Sequence, residues 1–304
     1  MTEVLLRSSS FLFVMLLGAV LRQTGFFGPK DYVIPMKLVL NITLPAAVIT
    51  SFASYRPEPA LLLCAAVGFC LNWVVLGIAL LCSRGKPRSV RAVWLNSVPG
   101  YNIGAFALPF VQSFLSPAGV VSCCLFDAGS ALMCTGGTYA LSGAILEGGG
   151  RISLGLIGKK LLSSRPFVTY AVLLALSLAG ISIPQPIVSF LSPLASANAF
   201  LSMMMVGMMF NVKLKAQMWK DVAGMAAVRV TMAAAAAGGC LLLPLPPEVR
   251  QAMAIASFAP VSIASTALSE RAGGDPALAA CVSSLTIPIS VTVIIALLTL
   301  FGTL

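Results

Sequence analysis

One apolar segment that is interrupted at its centre constrains this chain more than any other feature. The segment spans about Ala92–Leu115, long enough to cross a bilayer, yet Pro99, Gly100, Asn102 and Gly104 fall within it. Proline removes a backbone N–H and disfavours helix at the preceding residue, and glycine adds backbone freedom. Hydrocarbon tolerates an open backbone only where protein or a water-filled cavity satisfies it. We therefore expect a broken transmembrane helix whose unpaired N–H and C=O groups are ligands for a small solute.

A second break of the same kind lies in the other half of the chain, where Pro260 interrupts the apolar segment around Ser257–Thr266. Two interrupted hydrophobic segments at corresponding positions of two halves are the best sequence indicator of a secondary transporter's binding site. We therefore expect the two breaks to cross at the middle of the membrane.

The composition defines the class of protein. Of the 304 residues, 59% are hydrophobic and only 9% are charged, which predicts a polytopic helical membrane protein without a soluble domain. Histidine is absent and the eight cysteines form no C-x-x-C pair, so we expect no metal site, no disulfide framework and no cofactor.

Hydropathy predicts ten membrane spans. They are Val4–Leu21, Tyr32–Phe52, Ala60–Cys82, Ala92–Leu115, Val120–Leu146, Phe167–Gly180, Pro186–Phe210, Val222–Leu243, Val249–Ser269 and Ala277–Leu300.

The basic residues predict the orientation of these spans. With both termini outside, the cytoplasmic loops hold fifteen of the nineteen Lys and Arg residues, the outer segments hold Arg7, Arg56 and Arg250, and Arg229 lies within a span. This asymmetry follows the positive-inside rule, and it explains the net charge of +10 without a nucleic-acid partner. The fifteen are Arg22, Lys30, Lys37, Arg84, Lys86, Arg88, Arg91, Arg151, Lys159, Lys160, Arg165, Lys213, Lys215, Lys220 and Arg271.

The spans and breaks repeat at a shift of about 159 residues, which places Tyr101 on Pro260 and Asp127 on Thr286. Because each half has five spans, an odd number, the second half must be inverted relative to the first. The predicted organisation is a first repeat over 1–147, a flexible cytoplasmic linker over 148–165 and a second repeat over 166–304.

Several stretches, in this order and spacing, resemble the auxin efflux carrier family across nearly the whole chain. They are Leu40-Asn41-Ile-Thr-Leu44-Pro45, Asn102-Ile-Gly-Ala-Phe-Ala-Leu-Pro109, Phe126-Asp127, Phe258-Ala-Pro260, the segment from Leu268 to Pro276, and Ser284-Leu-Thr-Ile-Pro288. The chain departs from the family pattern at Tyr101, where proline is frequent, and at Val261, where a polar residue is usual.

This resemblance implies a scaffold made of helices 1, 2, 6 and 7 and a transport part made of helices 3–5 and 8–10 that moves like an elevator. It also implies a homodimer built through the scaffold helices. Bacterial members are associated with small carboxylates such as malate or malonate, and plant members with auxin. The long central loop of many plant members is missing here, which fits a short bacterial type in the cytoplasmic (inner) membrane.

The predicted substrate site comprises the residues at the two breaks: Pro99, Tyr101, Asn102, Gly104, Pro260, Val261 and Ser262. Asn102 is the first candidate for a substrate contact, because its amide both donates and accepts hydrogen bonds; the alternative is that it caps a half-helix. Pro99, Gly104 and Pro260 shape the backbone and aim helix N-termini at an anion. The Ser262 hydroxyl either contacts substrate or bonds to its own helix.

Asp127 is the only acid well inside a predicted span, and Arg229 lies several residues inside the eighth span. Asp127 is a candidate coupling group, carrying a proton or coordinating Na⁺, because an acid inside a membrane is a functional hypothesis by default. Its alternative is a structural hydrogen bond or ion pair. Arg229 snorkels towards the basic face, pairs with Asp127 or attracts the substrate anion.

These observations predict a secondary active transporter of a small organic anion that works by alternating access at the crossed helices. A sodium-coupled symporter of the bile-acid carrier type is the alternative within transport, and a channel or a membrane receptor is the alternative outside it. An enzyme is not expected, because the sequence has no histidine and no G-x-S-x-G or H-E-x-x-H signature.

Overall fold

The structure is a computed structural model that describes residues 2–55, 58–147, 154–210 and 218–302. Over these ranges the secondary structure is helical without β-strands, which confirms the predicted all-helical class. Five helical segments are long and apolar enough to cross a membrane, which supports a membrane protein. They are Val33–Ser54, Pro59–Cys82, Gln185–Met209, Trp219–Leu241 and Pro276–Phe301.

The described residues of the first half form eight α-helices, several of which are joined by irregular turns. They are α1 (Thr2–Gln23), α2 (Val33–Leu38), α3 (Leu44–Ser54), α4 (Leu62–Cys82), α5 (Arg88–Ser97), α6 (Leu108–Phe114), α7 (Pro117–Leu132) and α8 (Thr138–Glu147). Wide π-helical turns at Val39–Thr43, Ile103–Ala107 and Met133–Gly137 precede α3, α6 and α8.

Proline explains two of these π-helical turns. Pro45 and Pro109 each occupy the second position of the α-helix that follows such a turn. Proline has no N–H and its ring clashes with the carbonyl four residues earlier, so the preceding turn widens instead of continuing a regular ladder.

Seven α-helices follow in the ranges 154–210 and 218–302. They are α9 (Leu154–Ser163), α10 (Arg165–Leu178), α11 (Gln185–Met209), α12 (Trp219–Leu241), α13 (Pro247–Ser257), α14 (Ile263–Arg271) and α15 (Pro276–Phe301). The start of α15 follows from its sequence: Pro276 is its first residue, and the Asp275 carboxylate accepts hydrogen bonds from the N–H groups of Ala277 and Leu278 at 2.8 and 3.1 Å.

The expectation of a flexible linker over 148–165 is wrong for its second part, because α9 begins at Leu154. In its sequence, Leu-Gly-Leu-Ile-Gly-Lys-Lys-Leu-Leu-Ser, apolar residues at Leu154, Ile157, Leu161 and Leu162 recur at helical spacing around the Lys159-Lys160 pair. Residues 148–153 lie outside the described part of the chain, as do four of the basic residues used to predict orientation, namely Arg56, Arg151, Lys213 and Lys215.

Glycines let two pairs of helices pack closely. A Cβ on Gly68 of α4 would collide with the Phe126 carbonyl of α7, and a Cβ on Gly129 of α7 would collide with the Ala65 carbonyl of α4. A similar reciprocal contact joins α1 to α11 through Gly18 and Gly207. Small residues permit such close approach of helices in a membrane, and the α4–α7 pair supports the region where the two breaks meet.

Candidate functional site at the crossing of two broken helices

The two breaks meet as the sequence predicts. Helix α5 ends at Ser97 and α13 ends at Ser257, and each path resumes as helix after five intervening residues, at Ile103 and Ile263. Between them Tyr101 and Val261 pair in an antiparallel bridge. The Asn102 N–H donates to the Pro260 carbonyl at 2.9 Å, and the Ser262 N–H donates to the Gly100 carbonyl at 3.3 Å. Residues 98–102 and 258–262 are called the crossing below.

Two further N–H groups of the crossing donate hydrogen bonds to side chains, one on the π-helical turn Met133–Gly137 and one on α15. The Tyr101 N–H donates to the Cys134 Sγ at 3.4 Å, and the Val261 N–H donates to the Thr286 Oγ1 at 3.1 Å. Burial without such partners is costly. The protein itself therefore satisfies these N–H groups, which corrects the expectation that they are free to bind a solute.

The carbonyls that end α5 and α13 converge on Arg229 of α12, which is only 5% exposed. Its Nη1 donates to the carbonyls of Ser97, Val98 and Gly100 at 3.4, 2.5 and 2.8 Å, and its Nη2 donates to the carbonyl of Ala259 at 2.6 Å. The guanidinium also lies 4.6 Å from the centroid of the Tyr101 ring, a cation–π contact.

This arrangement differs from two of the roles that the sequence suggests for Arg229, snorkelling and pairing with Asp127. The side chain is buried against the crossing instead of snorkelling, and within the described residues its partners are backbone carbonyls instead of the Asp127 carboxylate. Its role is therefore that of a structural cation at the C-terminal ends of two half-helices.

A cavity of about 450 Å³ lies at the N-terminal ends of the half-helices that leave the crossing. Among the predicted site residues, those that line it are Tyr101, Asn102, Gly104, Asp127 and Ser262. Pro99, Pro260 and Val261 are buried in the crossing behind this lining. The predicted set therefore divides into residues that line the cavity and residues that are buried behind it.

The Asn102 carboxamide faces the cavity without a protein partner among the described residues. Asn102 occupies the N-cap position of the helical segment that begins at Ile103, but its side chain makes no capping hydrogen bond. Its one donor group and its acceptor oxygen are therefore available to a solute. Ser262 differs, because its Oγ caps α14 by accepting from the Ala264 N–H at 3.2 Å.

Asp127 reaches the cavity from α7. Its Oδ2 accepts a hydrogen bond from the Tyr170 hydroxyl of α10 at 3.0 Å. Gly104 leaves room for this pair, since a Cβ at that position would lie 2.9 Å from the Asp127 Oδ2 and 3.2 Å from the Tyr170 Oη. The carboxylate therefore lies beside the start of the helical segment Ile103–Phe114.

The electrostatics of this cavity favour negative charge at two places. The first turn of a helix leaves N–H groups without intrahelical partners and carries partial positive charge, and both helical segments that leave the crossing, from Ile103 and from Ile263, begin in the cavity wall. Arg165 adds a full positive charge to the lining. Asp127 is the negative group that opposes them.

The lining residues that the sequence does not place at the site include Asn41, Cys134, Arg165 and Tyr170. Asn41 and Cys134 lie on the π-helical turns Val39–Thr43 and Met133–Gly137, and Gly104 lies on the third. All three turns thus contribute to the wall. The Leu44-Pro45 and Leu108-Pro109 dipeptides indicate two of these turns. No feature of the sequence indicates that Tyr170 bonds to Asp127.

A second cavity, of about 420 Å³, is lined by hydroxyl groups that include those of Thr50, Ser51 and Ser192. Along α3, Leu44 lines the crossing cavity and Ala47 lines this one. Between them runs a chain of side-chain hydrogen bonds: Thr43 Oγ1 donates to Asn198 Oδ1 at 3.0 Å, and Asn198 Nδ2 donates to Gln112 Oε1 at 3.2 Å.

Neither a comparison with models of known protein families nor a search of curated proteins gives a match to this chain. The resemblance to the auxin efflux carriers therefore depends on the stretches quoted above. The geometry of the crossing and its cavity carries the functional proposal.

Proposed function

We propose that this protein is a secondary active transporter of small organic anions, carboxylates such as malate, malonate or an auxin-like acid, which bind in the crossing cavity. One observation carries this proposal. The two breaks cross, and the Asn102 carboxamide, unbonded among the described residues, faces a cavity of about 450 Å³ together with two helix N-termini. Ligand sites for small molecules have volumes of roughly 300–1,000 Å³.

A carboxylate fits the chemistry of this wall. Helix N-termini and an amide N–H₂ group donate hydrogen bonds, and donors bind an anion more strongly than a neutral acceptor. Arg165 supplies a charge that attracts an anion into the cavity. The remainder of the lining is largely apolar, with side chains such as Leu40, Leu44 and Phe167 for the hydrocarbon part of the substrate.

Asp127 is the proposed coupling group. An ionised Asp127 and a substrate carboxylate would compete for the same helix N-terminus beside Gly104, and like charges repel. Protonation of Asp127 removes this repulsion, so that the anion and a proton bind together. Sodium coupling, as in symporters of the bile-acid carrier type, is the alternative that gradient experiments distinguish.

The proposed movement is alternating access by two inverted five-helix repeats, with α1–α3, α10 and α11 as scaffold and α4–α8 and α12–α15 as transport part. The second cavity, beyond the Thr43–Asn198–Gln112 chain, would serve the opposite side of the membrane. Two contacts support the proposed assignment of segments to common sides of the membrane. Lys86 pairs with Asp221, and Ser116 donates to Glu248, and each contact joins segments that the charge distribution assigns to one side.

The test is counterflow in proteoliposomes with imposed pH and sodium gradients. Labelled malate, malonate and indole acetate are offered in turn to the purified protein. The proposal predicts saturable exchange of at least one carboxylate that is driven by a pH gradient. Flux without saturation would favour a channel, carboxylate binding without flux would favour a receptor, and sodium-driven flux would favour the symporter alternative.

A further inference from the structure

The carbonyl cluster around Arg229 resembles a cation site that a side chain already fills. Four carbonyl oxygens from both breaks, those of Ser97, Val98, Gly100 and Ala259, lie within 2.5–3.4 Å of its two terminal nitrogens. We propose that the Arg229 guanidinium is a tethered cation that takes the place of a coupling ion at the crossing, so that transport does not depend on Na⁺. This inference rests on the proposed function.

The physical basis is the polarity of the helix ends. Helices α5 and α13 end at the crossing, and the C-terminal end of a helix carries partial negative charge and carbonyls without intrahelical partners. In transporters built on broken helices, unwound carbonyls and half-helix C-termini are groups that coordinate Na⁺. Here the same type of groups meets a guanidinium that is covalently attached to α12.

Several features make this cation permanent. Arginine retains its charge in proteins and presents five N–H donors in a planar fork. The two terminal nitrogens contact carbonyls from both breaks, and the guanidinium face lies against the Tyr101 ring at 4.6 Å. No ion from solution is then needed to neutralise the two helix ends, and Asp127 is left as the group that titrates during transport. Arg229 is a positioning residue in this account, because it acts on the substrate through the crossing.

The principal variant is Arg229→Ala, which empties the carbonyl cluster. Arg250→Ala is the matched control, because Arg250 also donates to a helix-terminal carbonyl, that of Leu241 at 2.8 Å, but lies away from the crossing. Thermal midpoints of the purified proteins are measured with millimolar ethylguanidinium, with Na⁺, and with N-methylglucamine at matched ionic strength. This arm requires neither substrate nor flux.

The expected result is a midpoint for Arg229→Ala that is lower by several degrees and that rises saturably with ethylguanidinium, and to a smaller extent with Na⁺. The wild type and Arg250→Ala should respond to neither beyond the ionic-strength control. An Arg229→Ala protein that responds no more than Arg250→Ala would overturn the proposal. Saturable dependence of the wild-type midpoint on Na⁺ would overturn it as well.

A second pair of variants keeps the test decisive if Arg229→Ala does not fold. Arg229→Lys retains a tethered charge, whereas Arg229→Met retains length and loses the charge. The lysine variant should have the higher midpoint and remain insensitive to Na⁺, and a methionine variant that is equally stable would contradict the proposal. If no carboxylate is transported by the wild type, the proposed function fails while these stability results still decide the role of Arg229.

Discussion

The two kinds of helix end at the crossing are built from the same breaks, yet the protein treats their polarity in opposite ways. At the C-terminal ends of α5 and α13, Arg229 bonds to the carbonyls and is buried with them. At the N-terminal ends that start at Ile103 and Ile263, the backbone faces a cavity that holds the Asn102 carboxamide.

The two kinds of helix end therefore differ in whether protein groups or a cavity meet their polar backbone groups. A buried polar group with its partners in place fixes one geometry, because breaking it leaves uncompensated groups. Donors that face a cavity remain available to a ligand. The C-terminal ends therefore keep the two half-helices crossed, and the N-terminal ends are the proposed site of solute binding. Variants of the two kinds of helix end should therefore have different effects on stability and on transport.

The largest effect is expected for Gly100→Ala, which breaks the crossing itself. A Cβ at Gly100 would overlap the Ser265 hydroxyl of α14, and both residues are buried. Overpacking of this kind costs about 1–3 kcal/mol and occasionally more. We expect a strongly lowered thermal midpoint and no flux. Gly238→Ala in α12 is the control, because a Cβ there meets no atom within 4 Å, and equal stability of the two variants would contradict the account.

Asp127→Asn tests whether Asp127 couples a proton to anion binding at the N-terminal ends. In the wild type, ionised Asp127 repels the anion, so the apparent affinity for carboxylates should be highest at low pH and should fall as pH rises, by at most about tenfold per pH unit for one coupled proton. The variant should show affinity that does not vary with pH and should lose pH-driven uptake. Glu248→Gln, an acid at the Ser116 contact outside the cavity, should keep the wild-type profile. An unchanged pH profile in Asp127→Asn would remove this residue from coupling.

A smaller change is expected for Tyr170→Phe, which deletes the donor to Asp127 and keeps the ring. One hydrogen bond is worth about 1 kcal/mol, so the affinity for a carboxylate or its pH profile should change by a few-fold without loss of the folded state. Tyr55→Phe, at the end of α3 and outside the cavity lining, controls for the loss of a hydroxyl. Identical kinetics in Tyr170→Phe and the wild type would show that the Asp127–Tyr170 bond does not tune the site.

The smallest effect is expected for Lys86→Ala, because Lys86 lies outside the lining of the crossing cavity. Lys86 pairs with Asp221 at 2.7 Å, with both side chains partly exposed. Such pairs contribute about 0.2–1 kcal/mol, so a double-mutant cycle with Asp221→Ala should give a coupling energy in that range and unchanged transport. A large loss of flux would mean that function is not confined to the crossing.

The breaks, their crossing and five residues of the cavity wall could be predicted from sequence because proline, glycine and asparagine inside apolar segments act locally. The partners of the crossing could not. In the sequence, Arg229 is a single charge within a predicted span. Its carbonyl partners become known only from the packing of α12 against both breaks. The contact between Tyr170 and Asp127 could not be predicted from hydrophobic periodicity, because the two residues lie 43 positions apart in the chain. The helix α9 was missed because the glycines before it favoured a linker.

The most direct test of the central claim compares Asn102→Ala with Asn41→Ala in carboxylate counterflow. Both residues line the cavity, but the Asn41 amide already donates to the Lys37 carbonyl of its own helix at 2.7 Å. If Asn102 contacts the substrate, Asn102→Ala should lose saturable exchange while its thermal midpoint stays near that of the wild type. Asn41→Ala should retain exchange. Unaltered exchange in Asn102→Ala, or equal losses in the two variants, would contradict a substrate site at the crossing.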